Sequence, residues 1–237
     1  MKRILVAGIL ILLLLALTFI AYYSVESEPE SSFSLGRDGV VAFSAKKQRA
    51  LDFLPPDYRF IDYEYTIQST ALSTFHRDVT SSARLHGCRY PVYTLIIYEY
   101  GGNLMSVCPG SHRTWPYVWS RIVNVSGPPN TAVLFDSEIL HAGQPNQCKP
   151  RLLRQYKICH RDDLSKLTHL QGIRVAKKEK CVDDAWTRVK RKLSYYFAHP
   201  LNHWLYPFLM QKEGEDTWTG KVQSIFSRSQ FYNNLPR

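Results

Sequence analysis

His76-Arg77-Asp78 sets an imidazole and a carboxylate two residues apart, and His141 follows in the segment Leu134-Phe135-Asp136-Ser137-Glu138-Ile139-Leu140-His141-Ala142-Gly143. On a strand, residues i and i+2 point to the same side, so His76 and Asp78 can reach one ion from a single strand end. His141 stands just after the apolar run Val133-Leu134-Phe135, where a neighbouring strand could deliver it. Two imidazoles and one carboxylate grip one face of a divalent ion and leave its other positions open, which suits non-haem Fe(II). A structural zinc site would use four protein ligands, and softer metals would call for thiolates. His-Arg-Asp also opens protein kinase catalytic loops, but those need Asn five residues after the Asp, where Ala83 stands, and no Asp-Phe-Gly follows.

These residues must be held by something, and the texture from Tyr58 to about Cys159 is β. Tyr63-Glu64-Tyr65-Thr66-Ile67-Gln68 alternates, and Val92-Tyr93-Thr94-Leu95-Ile96-Ile97-Tyr98 is β-branched and aromatic. Thr131 to Phe135 and Leu152 to Ile158 read as buried strands. Gly101-Gly102-Asn103, Pro109-Gly110-Ser111 and Gly127-Pro128-Pro129-Asn130 punctuate them as turns. Many short strands with such turns predict a sandwich or barrel. Lys46 to Phe53 suits a short helix stopped by Pro55-Pro56. Asp183 to Phe197 suits a longer one, with Trp186, Val189, Leu193 and Phe197 as the stripe facing the barrel.

The chain has 237 residues, 45% apolar and 21% charged, with a formal charge of +10. That is the composition of a globular protein. The basic excess is spread out, so a nucleic-acid partner is not favoured. Ile4 to Tyr23 carries no charge and is mostly Leu, Ile, Ala and Val; Lys2 and Arg3 precede it, and Glu26, Glu28 and Glu30 follow. Roughly 20 helical residues span a bilayer core. The positive flank stays cytoplasmic, which places the rest of the chain in a lumen or outside the cell. A cleaved signal peptide fits less well, because no small-x-small site precedes Tyr22-Tyr23. The expected organisation is a tail (1–3), a transmembrane signal anchor (4–23), a stem (24–45), a catalytic domain (46–162) and a helical extension (163–237). Cys88, Cys108, Cys148, Cys159 and Cys181 would all face a compartment that permits disulfides. Asn124-Val125-Ser126 is a possible glycan acceptor there.

Pro91 to Tyr98, then Gly101-Gly102-Asn103-Leu104, then Pro109-Gly110-Ser111-His112-Arg113, then the His141 segment, closely resemble the phytanoyl-CoA hydroxylase-like (PhyH-like) branch of the Fe(II)- and 2-oxoglutarate-dependent dioxygenases. The resemblance covers roughly residues 60 to 162. It implies a mainly β fold, a double-stranded β-helix (jelly roll, cupin-like) with flanking helices, here with the N-terminal transmembrane helix and a partly helical C-terminal extension. It implies His76, Asp78 and His141 as the Fe(II) ligands. It implies 2-oxoglutarate and O2 as cosubstrates, with ascorbate as an optional reductant, and hydroxylation of a substrate with release of succinate and CO2. It also implies a basic residue, shortly after the distal histidine, that pairs with the far carboxylate of 2-oxoglutarate. Arg151 stands near the family's usual offset, and Arg154 is the alternative; on a regular strand the two face opposite sides. Tyr93 and Thr94 could line the cosubstrate pocket, one of them facing in, and His112 reads as a structural hydrogen-bonder.

The substrate is not legible: a protein side chain, a lipid or a glycan would each fit a lumenal enzyme. Two other functions compete. One is a non-catalytic β-sandwich that binds a ligand or partner. The other, weaker, is a lumenal transferase; its Asp-x-Asp metal site is absent, since Asp162-Asp163 and Asp183-Asp184 lack the spacing.

Overall fold

A computed structural model describes residues 2–22, 26–27, 32–44, 46–68, 74–114, 121–144, 151–175 and 185–199. Helix α1 is Lys2–Tyr22, followed by the two-residue strand β1 (Glu26–Ser27), the one-turn helix α2 (Leu35–Asp38) and β2 (Val40–Ser44). A 3-10 helix, Lys47–Phe53, leads into β3 (Tyr58–Gln68). Then come β4 (Tyr93–Tyr98), β5 (Gly102–Val107), β6 (Ile122–Gly127), β7 (Thr131–Asp136), β8 (His141–Gly143) and β9 (Leu152–His160). A 3-10 stretch (Arg161–Leu170), β10 (Gly172–Val175) and helix α3 (Ala185–His199) complete the order.

The strands form two sheets. The larger runs β10-β3-β9-β4-β7-β2, the smaller β1-β6-β5-β8. His76 extends the free edge of β8 through an antiparallel bridge to His141. From β3 onward the chain goes to the large sheet, to the His76 edge of the small one, back to the large one in β4, across to β5 and β6, back to β7, across to β8 and back to β9. That alternation is the jelly-roll order expected from the sequence. Its core pairs are antiparallel; β1 with β6 and β10 with β3 are parallel additions at the edges.

One cluster fills the space between the sheets. Val40, Ile96, Tyr98, Val133, Phe135 and Leu153 from the large sheet meet Leu104, Met105, Val107 and Val125 from the small one. Burial of each large apolar side chain stabilises by about 1.5–3 kcal/mol. The outer face of the large sheet carries Val41, Leu95, Leu134, Tyr156 and Ile158, covered by Ala50 and Leu51 of the first 3-10 helix. A strand buried on both faces cannot alternate in hydrophobicity. This is why Ala132 to Phe135 is apolar throughout.

The sheets reach past the expected domain limits. Val40–Ser44, placed in the stem by its composition, pairs with β7 along its whole length, and Gly172–Val175 of the extension pairs with β3. Gly39 turns the chain into β2 at φ 77°, and the His112 ring lies where a Cβ on Gly39 would stand. His112 therefore packs edge to backbone; its buried Nδ1 makes no hydrogen bond.

The membrane-spanning expectation is not carried by the described residues, among which no helix is long and apolar enough to cross a membrane. The helix itself is there, Lys2–Tyr22. Its side chains from Val6 to Ala16 are all exposed. Helix α3 also differs from expectation. Trp186 and Phe197 of the expected stripe are 60% and 50% exposed, whereas Arg191 and Ser194 are buried. The helix docks through Arg191 and Ser194, with Tyr195 against the Phe75 ring, a set of residues that the expected apolar stripe does not contain.

Candidate metal centre

The mouth of the jelly roll brings three donors together. One ligand atom each from His76, Asp78 and His141 lies within 4.8 Å of the others. His141 Nε2 is 3.6 Å and His76 Nε2 3.8 Å from Asp78 Oδ1. These separations are too long for hydrogen bonds. They suit three atoms around one ion, since ligands about 2.0–2.2 Å from a metal stand roughly 3–4 Å apart.

The backbone fixes this arrangement from both limbs. His76 and His141 exchange both main-chain hydrogen bonds, at 2.9 and 3.0 Å, and Asp78 N donates to Ser137 O at 3.0 Å. The intervening Arg77 points the other way, donating through Nε to Glu138 O at 2.8 Å and through NH2 to Ser111 O at 3.3 Å. Ser111 also accepts a 2.8 Å bond on Oγ from Leu140 N, the residue before His141. The Pro109-Gly110-Ser111 turn thus ties the triplet to the distal histidine. Each imidazole is oriented by its Nδ1, on Thr74 O for His76 (2.9 Å) and on Ile139 O for His141 (3.0 Å). This fixes the tautomer and leaves each Nε2 lone pair for an ion. The Phe135 ring lies 4.5 Å from the His141 ring.

The protonation states also fit. Burial lowers the pKa of both histidines, and burial together with the adjacent His76 takes that of His141 to about 3. Neutral imidazoles are the ligating form. Burial is the largest single influence on Asp78 and opposes its ionisation, but Lys157, His141 and His76 together outweigh it and hold the carboxyl well below the usual range. The residues therefore present two neutral imidazoles and one carboxylate, the donor set of an open divalent site.

Lys157 is the residue the sequence reading missed. It is 1% exposed in the middle of β9. Its Nζ donates to Asp78 Oδ2 at 2.6 Å, Ser81 Oγ at 2.8 Å and Thr94 Oγ1 at 2.7 Å. Thr94 Oγ1 donates in turn to the same Asp78 Oδ2 at 2.6 Å. One carboxylate oxygen is thereby occupied by the protein, and the other faces the histidines. A signal was available: a lysine inside the apolar run from Tyr156 to Ile158, two strand steps from Leu153, must either face solvent or be paired.

The other expected site residues are placed as follows. Thr94 faces the site, through its bond to Asp78. Tyr93 lies on the opposite face, its ring 5.5 Å from that of Tyr58, and burial raises its hydroxyl pKa to about 12. Arg151 is buried on the inner side; its NH1 donates to Gln144 O at 2.8 Å and its guanidinium lies 5.7 Å from the Tyr100 ring. It stands six positions before Lys157, about 20 Å along the chain at 3.3 Å per step. Arg154 faces outward and pairs with Glu99 at 3.1 Å, both substantially exposed. The structure thus brings His76, Asp78, His141 and Thr94 together with Lys157, and places Tyr93 and Arg154 elsewhere. The loop before Arg151, including Asn146, lies outside the described residues, as do Cys148 and Cys181. Cys88, Cys108 and Cys159 are free thiols.

Helix α3 supports the same site from outside the small sheet. Arg191 donates to Gly143 O and Ser106 Oγ, both at 2.7 Å, and stacks 4.7 Å from the Phe75 ring. Ser194 Oγ accepts from Phe75 N at 2.7 Å. The residue beside His76 and the strand of His141 are thus held by one helix. The same face holds Asn124, whose Oδ1 accepts from Ser106 Oγ (2.6 Å) and Gln144 Nε2 (2.9 Å). A glycan at Asn124 would have to break this network.

The charge states predict a pH dependence for the metal-free chain. The unfolded chain protonates His76 and His141 near pH 6.5, while the folded one resists, so their contribution is present above about 6.5 and lost on acidification. Asp136 acts in the other direction: burial raises its pKa to about 7, so its contribution is present at low pH and lost as pH rises through that value. His141 offsets Asp136 and His76 adds to the loss, so stability falls as pH drops below about 6.5. Urea unfolding in the presence of a chelator measures this, and stability that is flat or rises on acidification contradicts it.

No protein-family model matches the chain, and no curated protein matches it. Among solved structures it is similar to the non-heme alpha ketoglutarate dependent epimerase SnoN from nogalamycin biosynthesis, at 17% identity over 39% of this chain and 40% of that one, with a TM-score of 0.32. It is similar to the carbocyclase SnoK from the same biosynthesis, at 12% identity over 53% and 81%, TM-score 0.34. It is similar also to EctD from S. alaskensis with 2-oxoglutarate and 5-hydroxyectoine, at 13% identity over 54% and 74%, TM-score 0.37. The chain spans less than half of SnoN. Likenesses this loose carry no argument about activity; the weight rests on the topology and the donor set.

Proposed function

We propose that this chain is an Fe(II)- and 2-oxoglutarate-dependent oxygenase of the phytanoyl-CoA hydroxylase-like type. The observation that carries the reading is the convergence of His76 Nε2, His141 Nε2 and Asp78 Oδ1 at the mouth of a jelly roll. When bound, Fe(II) and 2-oxoglutarate supply the activation of O2 and the insertion of one oxygen atom into a substrate C–H bond, with succinate and CO2 released. The protein's part is to hold the ligands. Thr74 O and Ile139 O orient the imidazoles, Thr94 and Lys157 occupy the second carboxylate oxygen, and the Phe135 ring packs against that of His141.

The substrate class is a protein side chain, a lipid or a glycan, and ascorbate is a reductant worth supplying. The test is succinate release from 2-oxoglutarate by the full chain, dependent on added Fe(II) and O2. A purified, folded chain with no such turnover and no metal uptake would favour the rival reading, a non-catalytic β-sandwich. One observation favours that rival: Arg151 is engaged by Gln144 and Tyr100, with Leu153 and Tyr98 packed in the core between the sheets. Arg151 as the carboxylate clamp remains part of the proposal on a separate observation, its burial on the inner side.

We further propose that α1 is a signal anchor, with Lys2 and Arg3 cytoplasmic and the jelly roll lumenal or extracellular. The exposed Leu10, Leu12, Leu14 and Leu15 support it, since side chains so apolar are costly to leave in water. Full-length protein should stay with membranes through an alkaline carbonate wash; release into the wash would overturn the anchor.

A further inference from the structure

The contacts of Lys157 go beyond holding Asp78 in place. Its ammonium has three N–H bonds, and all three are used within the protein, on Asp78, Ser81 and Thr94. It therefore has no donor left for a cosubstrate or substrate. Its charge, however, is buried at 1% exposure, 2.6 Å from the carboxylate of a metal ligand, where screening by water is weak.

We infer that Lys157 sets the net charge of the metal centre. Its positive charge cancels that of Asp78, and the two imidazoles are neutral. A bound divalent ion therefore keeps both of its positive charges uncompensated by the protein. Such a centre binds its metal less tightly than two histidines and a free carboxylate would. In return it is matched to a doubly negative ligand, a dicarboxylate that chelates the ion. Lys157 is thus a positioning and charge-setting residue that acts through Asp78. It trades metal affinity for dianion affinity. Other charges are more remote: Arg77 is turned away toward Glu138 O and Ser111 O, and Arg191 toward Gly143 O and Ser106.

The inference rests on the reading of His76, Asp78 and His141 as a metal site that takes 2-oxoglutarate, and its test separates the two. Lys157→Gln removes the charge and keeps a hydrogen-bond donor; Lys157→Met removes both and keeps the length. Dissociation constants are measured anaerobically on the full-length protein, first for Mn(II) or Fe(II) alone, then for 2-oxoglutarate on the metal-loaded form. In both variants metal binding should tighten and 2-oxoglutarate binding should weaken, each by at least about tenfold, the effect of one poorly screened charge. Opposite signs are the signature, because a merely structural lysine would weaken both together. Both constants weakened, or both unchanged, in whichever variant folds would overturn the charge-setting role and leave the metal site standing. A wild-type chain that binds no divalent ion would overturn both.

Discussion

His76→Ala, Asp78→Ala and His141→Ala should each abolish 2-oxoglutarate turnover and lower divalent-metal affinity by at least about a hundredfold, the loss of one of only three protein ligands. Asp78→Ala should also be the least stable of the three. It leaves Lys157 buried at 1% exposure without its anion, and breaking a buried pair by removing one partner costs about 3–5 kcal/mol. His141→Ala removes a side chain whose burial disfavours its own charging, so its stability penalty should be smaller at neutral pH. Metal titration paired with urea unfolding separates these effects. Wild-type-like succinate production in any of the three would sink the metal assignment.

Phe135→Ala is expected to carry the second large effect, by a different route. Phe135 is fully buried between the sheets and packs with Val133, Tyr98 and Met105 in one cluster. Removing such a side chain costs about 3–5 kcal/mol, part in lost transfer energy and part in the cavity left behind. Its ring also lies 4.5 Å from that of His141, and His141 sits at 4% exposure. The cavity opens beside a ligand, so metal affinity should fall even in the fraction that stays folded. Leu134→Ala, one residue away, is the control: Leu134 is equally buried but faces the outer layer. It should lose stability with metal affinity nearly intact. If both variants lost metal affinity equally once corrected for unfolding, the placement of Phe135 under His141 would be contradicted.

The β texture was legible in local pattern, and the jelly roll and the three donors through the family resemblance of the segments around them. Two ligands share one strand side at i and i+2, and the third follows a run of apolar residues buried on both faces. The same logic separated Arg151 from Arg154, which the structure puts on opposite sides of β9. Lys157 was not legible, because its partner Asp78 is 79 positions away in sequence and only the pairing of β9 with β4 brings Thr94 and Lys157 side by side. The role of α3 was hidden for a related reason. Its buried contacts are made by Arg191 and Ser194 with backbone groups and a serine hydroxyl, and hydrophobic periodicity reads only apolar faces. Strand β2 was hidden inside a Ser- and Glu-rich stretch that carries Gly36 and Gly39 and shows little periodicity.

The central claim is that one open divalent site and one chelating dicarboxylate meet at the mouth of this jelly roll. Anaerobic addition of Fe(II) and then 2-oxoglutarate to the full-length protein tests it most directly, through the visible charge-transfer absorption that a ferrous 2-oxo acid chelate produces. A band that needs both additions, saturates at one equivalent of each and is absent from Asp78→Ala is the predicted result. A folded wild-type chain that gives no band, or a band that persists in Asp78→Ala, would contradict the account.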